Sequence, residues 1–170
     1  MRSDAKLTLL LAVAVSICLI FGCGKDDKST SPDNTVPSVS VTVGPHQPAF
    51  PALAAAYDPD LKWLLIGFDQ GQIGQYPIAF ISVTDADSVV VGTPKECSSL
   101  NIYIDSTMQF ICGSMAQNDS AVSEVIFSRL ELRQYGRVSG DVTGMAEKQD
   151  HPEEGLFPLQ IQFRNIPVIM

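Results

Sequence analysis

Basic side chains are scarce in this chain: 11 lysines and arginines stand against 19 aspartates and glutamates, for a net charge of −8. A polyanion is gripped at physiological salt by a clustered cationic surface, so this balance argues against nucleic acid as a partner. It also provides no electrostatic pull toward an anionic bilayer. Only 2 histidines, His46 and His151, and 4 cysteines occur, so a zinc site would need a long-range convergence that their spacing does not suggest. The sequence has no Gly-x-Ser-x-Gly elbow, no phosphate-binding glycine loop and no His-Glu-x-x-His. The chain therefore reads as non-enzymatic, with no cofactor implied. Its longest apolar run, Leu7 to Phe21, is shorter than the roughly 20 residues a membrane-spanning helix needs.

What is present begins with that run. Arg2 and Lys6 precede it, and Ile20-Phe21-Gly22-Cys23 ends it. This segment resembles a bacterial type II signal peptide, with Gly22 in the small position before the cut and Phe21 bulkier than the usual occupant one place earlier. The resemblance implies that residues 1–22 are removed and that Cys23 is acylated. Several acyl chains make a stable anchor, so the mature protein would sit on a membrane without spanning it. Gly24 stands where an acidic residue would favour inner-membrane retention, so the resemblance favours the outer membrane. From Gly24 to Pro37 the chain is polar and turn-rich and reads as a disordered tether. Residues 23–37 are thus lipidated cysteine and linker, and 38–170 a single domain.

Hydrophobic residues make up 45% of the chain and charged ones 18%, which is ordinary for a folded domain of this size. From Ser38 onward the period is two, as in Val39-Ser40-Val41-Thr42-Val43. Further strands are expected at 61–68, 76–83, 88–91, 100–104, 108–112, 122–132, 137–145 and 156–163. Pro51 to Tyr57, rich in alanine, is the one helix-compatible stretch. Short strands with turn signals between them predict an all-β domain, an antiparallel sandwich with a barrel as the alternative. Three segments carry a second resemblance: Gly74-Gln75-Tyr76, Arg137-Val138-Ser139-Gly140-Asp141-Val142-Thr143-Gly144, and Ile161-Gln162-Phe163-Arg164-Asn165-Ile166-Pro167. Together they are similar to the terminal half of uncharacterised β-sandwich lipoproteins. That likeness implies a fold and no site.

With Cys18 in the leader and Cys23 lipidated, Cys97 and Cys112 are the pair left to each other. They flank an expected hairpin whose tip is Asp105-Ser106-Thr107, and an exported protein meets an oxidising compartment, so a Cys97–Cys112 disulfide is expected. Two buried thiols are the alternative. Asp58 with Asp60, and Asp85 with Asp87, are Asp-x-Asp pairs of the kind that bind calcium, although Asp also serves turns. His151-Pro152-Glu153-Glu154 reads as a solvated acidic loop. Trp63, the only tryptophan, lies inside an apolar run and reads as core. Tyr57 and Tyr135 adjoin turns and are the candidate ligand-binding aromatics. The leading reading is a lipid-anchored, non-catalytic binding or structural module of the cell envelope, with an envelope protein or a glycan as partner. A carbohydrate-binding module is second and an envelope hydrolase third.

Overall fold

A computed structural model of the chain describes residues 36–72 and 74–170. The expected signal peptide, Cys23 and most of the expected tether lie outside the described residues. Alternation sets the first strand, β1 (Ser38–Val43), with Val41 and Val43 buried and Ser38, Ser40 and Thr42 on the other face. Then follow β2 (Ala52–Asp58), β3 (Trp63–Asp69), β4 (Ile78–Val83), β5 (Pro94–Glu96), β6 (Ser99–Tyr103) and β7 (Gln109–Gly113). The chain ends with β8 (Ser123–Leu130), β9 (Arg137–Lys148) and β10 (Leu156–Ile169). Two single turns of 3-10 helix, Ala86–Ser88 and Pro152–Glu154, complete the regular structure.

The all-β expectation is met by one mixed sheet of 10 strands. Its ladders are antiparallel except where Val168 and Ile169 of β10 run parallel to Ala55 and Ala56 of β2. The long strands β9 and β10 pair with each other from Leu156–Glu147 to Pro167–Arg137. On its far edge β10 takes β1 and then β2, while β9 takes β8 and then β7. Following the hydrogen bonds from β10 through β2, β3, β4, β6, β7 and β9 returns to β10, so the sheet closes a circuit around one core. Closure satisfies strand edges that would otherwise be exposed. Inside, Phe163 of β10 lies 6.4 Å from Phe68 of β3 and 6.0 Å from Phe127 of β8, and all three are fully buried.

The alanine-rich stretch that is compatible with a helix is strand β2. It pairs with β3 along its whole length, from Ala52–Asp69 to Asp58–Trp63, and Leu53 and Ala55 enter the core. Tertiary pairing overrides the propensity of alanine there. The strand expected at 88–91 is instead the end of a 3-10 turn and exposed chain, and the short strand β5 follows it. The β6–β7 hairpin has its tip where expected. Asp105 Oδ1 accepts the backbone N–H groups of Thr107 and Met108 at 2.7 and 2.9 Å, which closes the turn.

Candidate functional site

Strands β3, β4 and β6 carry large apolar side chains on both faces. Leu64, Ile66, Phe68, Ala79, Ile81, Val83, Leu100 and Ile102 point inward and are buried in the core cluster. Alternation then turns Trp63, Leu65, Ile78, Phe80 and Tyr103 to the outer face, with Ser82, Ser99 and Asn101 among them. The register sets Ser82 between Leu65 and Ser99, Asn101 opposite Phe80, and Tyr103 opposite Ile78. Trp63 is half-buried, and its indole Nε1 donates to Ser82 Oγ on the neighbouring strand, which lays the ring across β3 and β4. Tyr103 lies 6.4 Å from Tyr76, which is 41% exposed. Partial burial pushes the Tyr103 phenol up from its ordinary pKa, and its hydrogen bond with Gln109 opposes the shift. Trp63, Phe80, Tyr103 and Tyr76 all lie outside the core cluster. Trp63, Phe80 and Tyr103 are half-buried and Tyr76 is exposed, and the four rings are distributed as a strip along the outer face of β3, β4 and β6.

A buried carboxylate closes one side of this face. Glu147 of β9 is 1% exposed, and its two oxygens accept the backbone N–H groups of Gln117 and Asn118, the latter at 2.9 Å. The chain after β7 is thereby folded back over the outer face of β6 and β7. Met115 of that segment takes a hydrogen bond from Asn101 Nδ2 at 3.5 Å, and Gln109 Nε2 donates to Asn101 Oδ1 at 3.0 Å. The amides beside Tyr103 are therefore held in fixed orientation.

The residues singled out from sequence fall elsewhere. Tyr57 is half-buried against the core, opposite Leu64, so it offers no surface platform. Tyr135 is 83% exposed in the β8–β9 turn and takes part in none of the ring contacts among the described residues. Trp63, expected in the core, is on the outer face, because its neighbours Lys62 and Leu64 alternate with it and Leu64 takes the inward position. Asp58 Oδ1 accepts the backbone N–H groups of Asp60 and Leu61 at 2.9 and 3.0 Å, capping its own turn. Asp87 forms an ion pair with Lys62 at 2.9 Å, and the Lys62 carbonyl accepts the Ala86 N–H at 2.9 Å. The two Asp-x-Asp turns thus meet around a lysine. The Asp87 hydrogen bond, followed by the charges of Asp87 and Asp85, raises the pKa of that ammonium. Among the described residues no three His, Cys, Asp or Glu side chains converge as a metal site would require. His46 packs 5.6 Å from Phe110, and His151 lies 3.1 Å from Glu153 in the exposed loop.

Cys97 and Cys112 are free thiols in this structure, 1% and 0% exposed. The hairpin register sets Leu100, not Cys97, opposite Cys112, so the two cysteines are offset from a directly facing pair. Ser123 of β8 joins them instead. Cys112 Sγ donates to Ser123 Oγ at 3.2 Å, the Cys97 thiol also bonds the Ser123 side chain, and the Cys97 N–H donates to the Ser123 carbonyl at 2.9 Å. Burial pushes the thiols up to about 12 for Cys97 and about 11 for Cys112. Neither is an activated nucleophile.

A second surface feature is an open depression of about 330 Å³ lined by Glu96, Val122, Glu124, Thr143 and Gly144. Glu96 faces Glu124 across β5 and β8, and Glu124 faces Thr143 across β8 and β9. It is shallow and acidic. Phe80, Tyr103 and Glu147 are missed from sequence, and no local pattern marks them together. The neighbouring segment Trp63-Leu64-Leu65-Ile66 is apolar at both parities, which means that both faces of that strand have something to contact. No family model matches the chain, and no match is found among curated proteins or solved structures.

Proposed function

We propose that this chain is a lipoprotein of the cell envelope, anchored through Cys23, whose β domain is a non-catalytic binding module facing away from the lipid on a short tether. The observation that carries the reading is the segment Ile20-Phe21-Gly22-Cys23 after a 15-residue apolar run, followed by a polar linker and then by strands. Gly24 favours the outer membrane as the site of attachment. The commitment of the reactive side chains to structural partners supports a non-catalytic role. Glu147 caps a loop, Asp58 caps a turn, and burial raises both thiol pKa values away from the nucleophilic range.

On the same reading Cys97 and Cys112 are oxidised to a disulfide after export, by exchange with a protein disulfide of the oxidising compartment that takes up their two protons and two electrons. Their shared contact with Ser123 brings them near each other, and bridging replaces two thiol hydrogen bonds by one covalent link. The deciding experiment is metabolic labelling with an alkyne analogue of palmitate, comparing the wild-type chain with Cys23→Ala. Label in the wild type, absent from the variant, together with wild-type recovery in the membrane fraction, is the expected result. An unlabelled wild-type chain that fractionates with soluble proteins refutes the anchor.

A further inference from the structure

Resting on that reading and naming its ligand class, we propose that the outer-face strip of Trp63, Phe80, Tyr103 and Tyr76 binds a neutral polysaccharide chain. The rings are held against the sheet: the Trp63 indole is tied to Ser82, and Tyr103 is packed beside Tyr76 and bonded to Gln109. Rings fixed in this way present apolar faces to the C–H faces of sugar rings. The Ser99 hydroxyl lies on the same face and can pair with a sugar hydroxyl, while Asn101 and Gln109, bonded to each other, to Met115 and to Tyr103, hold the surroundings of the rings in place. Amphipathic rings with polar edges match a ligand that is itself apolar on its ring faces and polar at its edges.

Charge and size select among occupants. The outward positions of β3, β4 and β6 carry no lysine or arginine, and Asp69 lies at one end of the strip. The chain as a whole is at −8. Anionic lipid headgroups and acidic polysaccharides are repelled. Same-face positions on a strand are roughly 7 Å apart and strands about 4.8 Å apart, so the strip is roughly 25 Å long and 10 Å wide. An area on the order of 250 Å² is far below the roughly 800 Å² that each partner contributes to a stable protein–protein interface. A strip of this length and width fits one linear chain of several sugar units and is too small for a second copy of this protein.

Trp63 is the only tryptophan, so its fluorescence reports on the strip and on nothing else. The full chain in detergent micelles is titrated with neutral glucan, xylan, mannan and galactan, and with alginate as the anionic control. At least one neutral polymer should shift Trp63 emission to the blue and protect it from acrylamide, while alginate should not. Tyr76→Ala and Tyr103→Ala should each weaken that response about tenfold or more, with far-UV circular dichroism unchanged. Tyr76 is exposed enough for its replacement to leave folding intact.

The proposal is overturned if no neutral polymer changes the emission, if alginate acts equally, or if the tyrosine variants respond as the wild type does. It is equally overturned if Trp63 is already shielded from acrylamide in the free chain, or becomes shielded as protein concentration rises, because another occupant then holds the strip. Palmitate labelling of the wild-type chain, run beside the titration, separates the two readings. A fluorescence response in a wild-type chain that takes up no palmitate label refutes the anchor and leaves the sugar site standing, whereas a labelled wild-type chain without a response refutes the sugar site alone.

Discussion

Removing the Glu147 carboxylate should release the segment that follows β7. The side chain is buried, and both oxygens are engaged by the backbone N–H groups of Gln117 and Asn118. Hydrogen bonds to a charged group contribute about 1.5–3 kcal/mol each, and burial of the carboxylate offsets part of that sum. Glu147→Gln keeps one carbonyl oxygen but turns an NH2 toward the second N–H, so one bond is lost and two donors face each other. A destabilisation of about 2 kcal/mol is expected for Glu147→Gln. Glu147→Ala strands both N–H groups unless the segment opens to water, with an expected cost of about 2–4 kcal/mol. Urea unfolding gives the global figure, and amide hydrogen exchange at Gln117 and Asn118 gives the local one. Both amides should exchange much faster in either variant, while those of β3 and β10 change only as global stability does. If Glu147→Gln unfolds within about 0.5 kcal/mol of the wild type and both amides stay protected, the carboxylate is not the clamp.

The reduced protein should lose stability as pH climbs past the ordinary thiol value of 9.0 toward the folded values of about 12 for Cys97 and about 11 for Cys112, because the unfolded chain releases those protons first. The slope approaches about 1.4 kcal/mol per pH unit for each thiol, and stability is flat with respect to both below that window; urea melts from pH 8 to 11 test it. If the pair is bridged, that slope disappears and adding reductant lowers stability by about 3 kcal/mol, the chain-entropy value for a loop of this length; peptide mapping without reductant identifies the link directly. Gly144→Val should be among the most damaging single changes in β9, because a Cβ there meets the Val122 carbonyl and lies 2.6 Å from Ser123 Cα, both backbone atoms that cannot yield cheaply. A drop of several kcal/mol or failure to fold is expected, and a melting temperature equal to that of the wild type contradicts the close approach.

Which parts of this were readable in advance follows from where the information resides. The inward faces of β1 and β10 alternate against polar neighbours, as in Val41-Thr42-Val43 and Leu159-Gln160-Ile161-Gln162-Phe163, so period two alone marks them. The β6–β7 turn was legible because Asp105 closes it locally. Strand β2 was not, since its alanines favour helix by local propensity and the pairing with β3 that decides the matter lies outside the segment itself. The meeting of β2 with the end of β10, the sheet's one parallel ladder, joins residues more than a hundred positions apart and has no local signature. Trp63 was misplaced for a different reason. An apolar run reads as core when only one face is imagined, and the run Trp63 to Phe68 serves two.

That doubled apolar character is what a function has to explain. On the other half of the sheet the outward residues are mostly those a fold in water calls for: Ser40 and Thr42 on β1, Gln160 and Gln162 on β10, Asp141 and Thr143 on β9, Glu124 on β8, with Ile126 of β8 an exposed large apolar exception. The core there is complete without any outward ring. The inward faces of β3, β4 and β6 are equally complete, with Leu64, Ile66, Ile81, Leu100 and Ile102 all fully buried. The inward core is therefore complete without Trp63, Phe80 or Tyr103, which lie half-buried on a face where Leu65 is itself only 3% exposed, and large apolar groups at the surface invite unwanted association. Their positions are held by a side-chain hydrogen bond from the indole, by ordered amides and by a loop clamped through a buried carboxylate, and each of these has a cost in burial or conformational entropy. A surface that is unnecessary to the core and yet fixed in place by several independent contacts has the properties of a preorganised binding site.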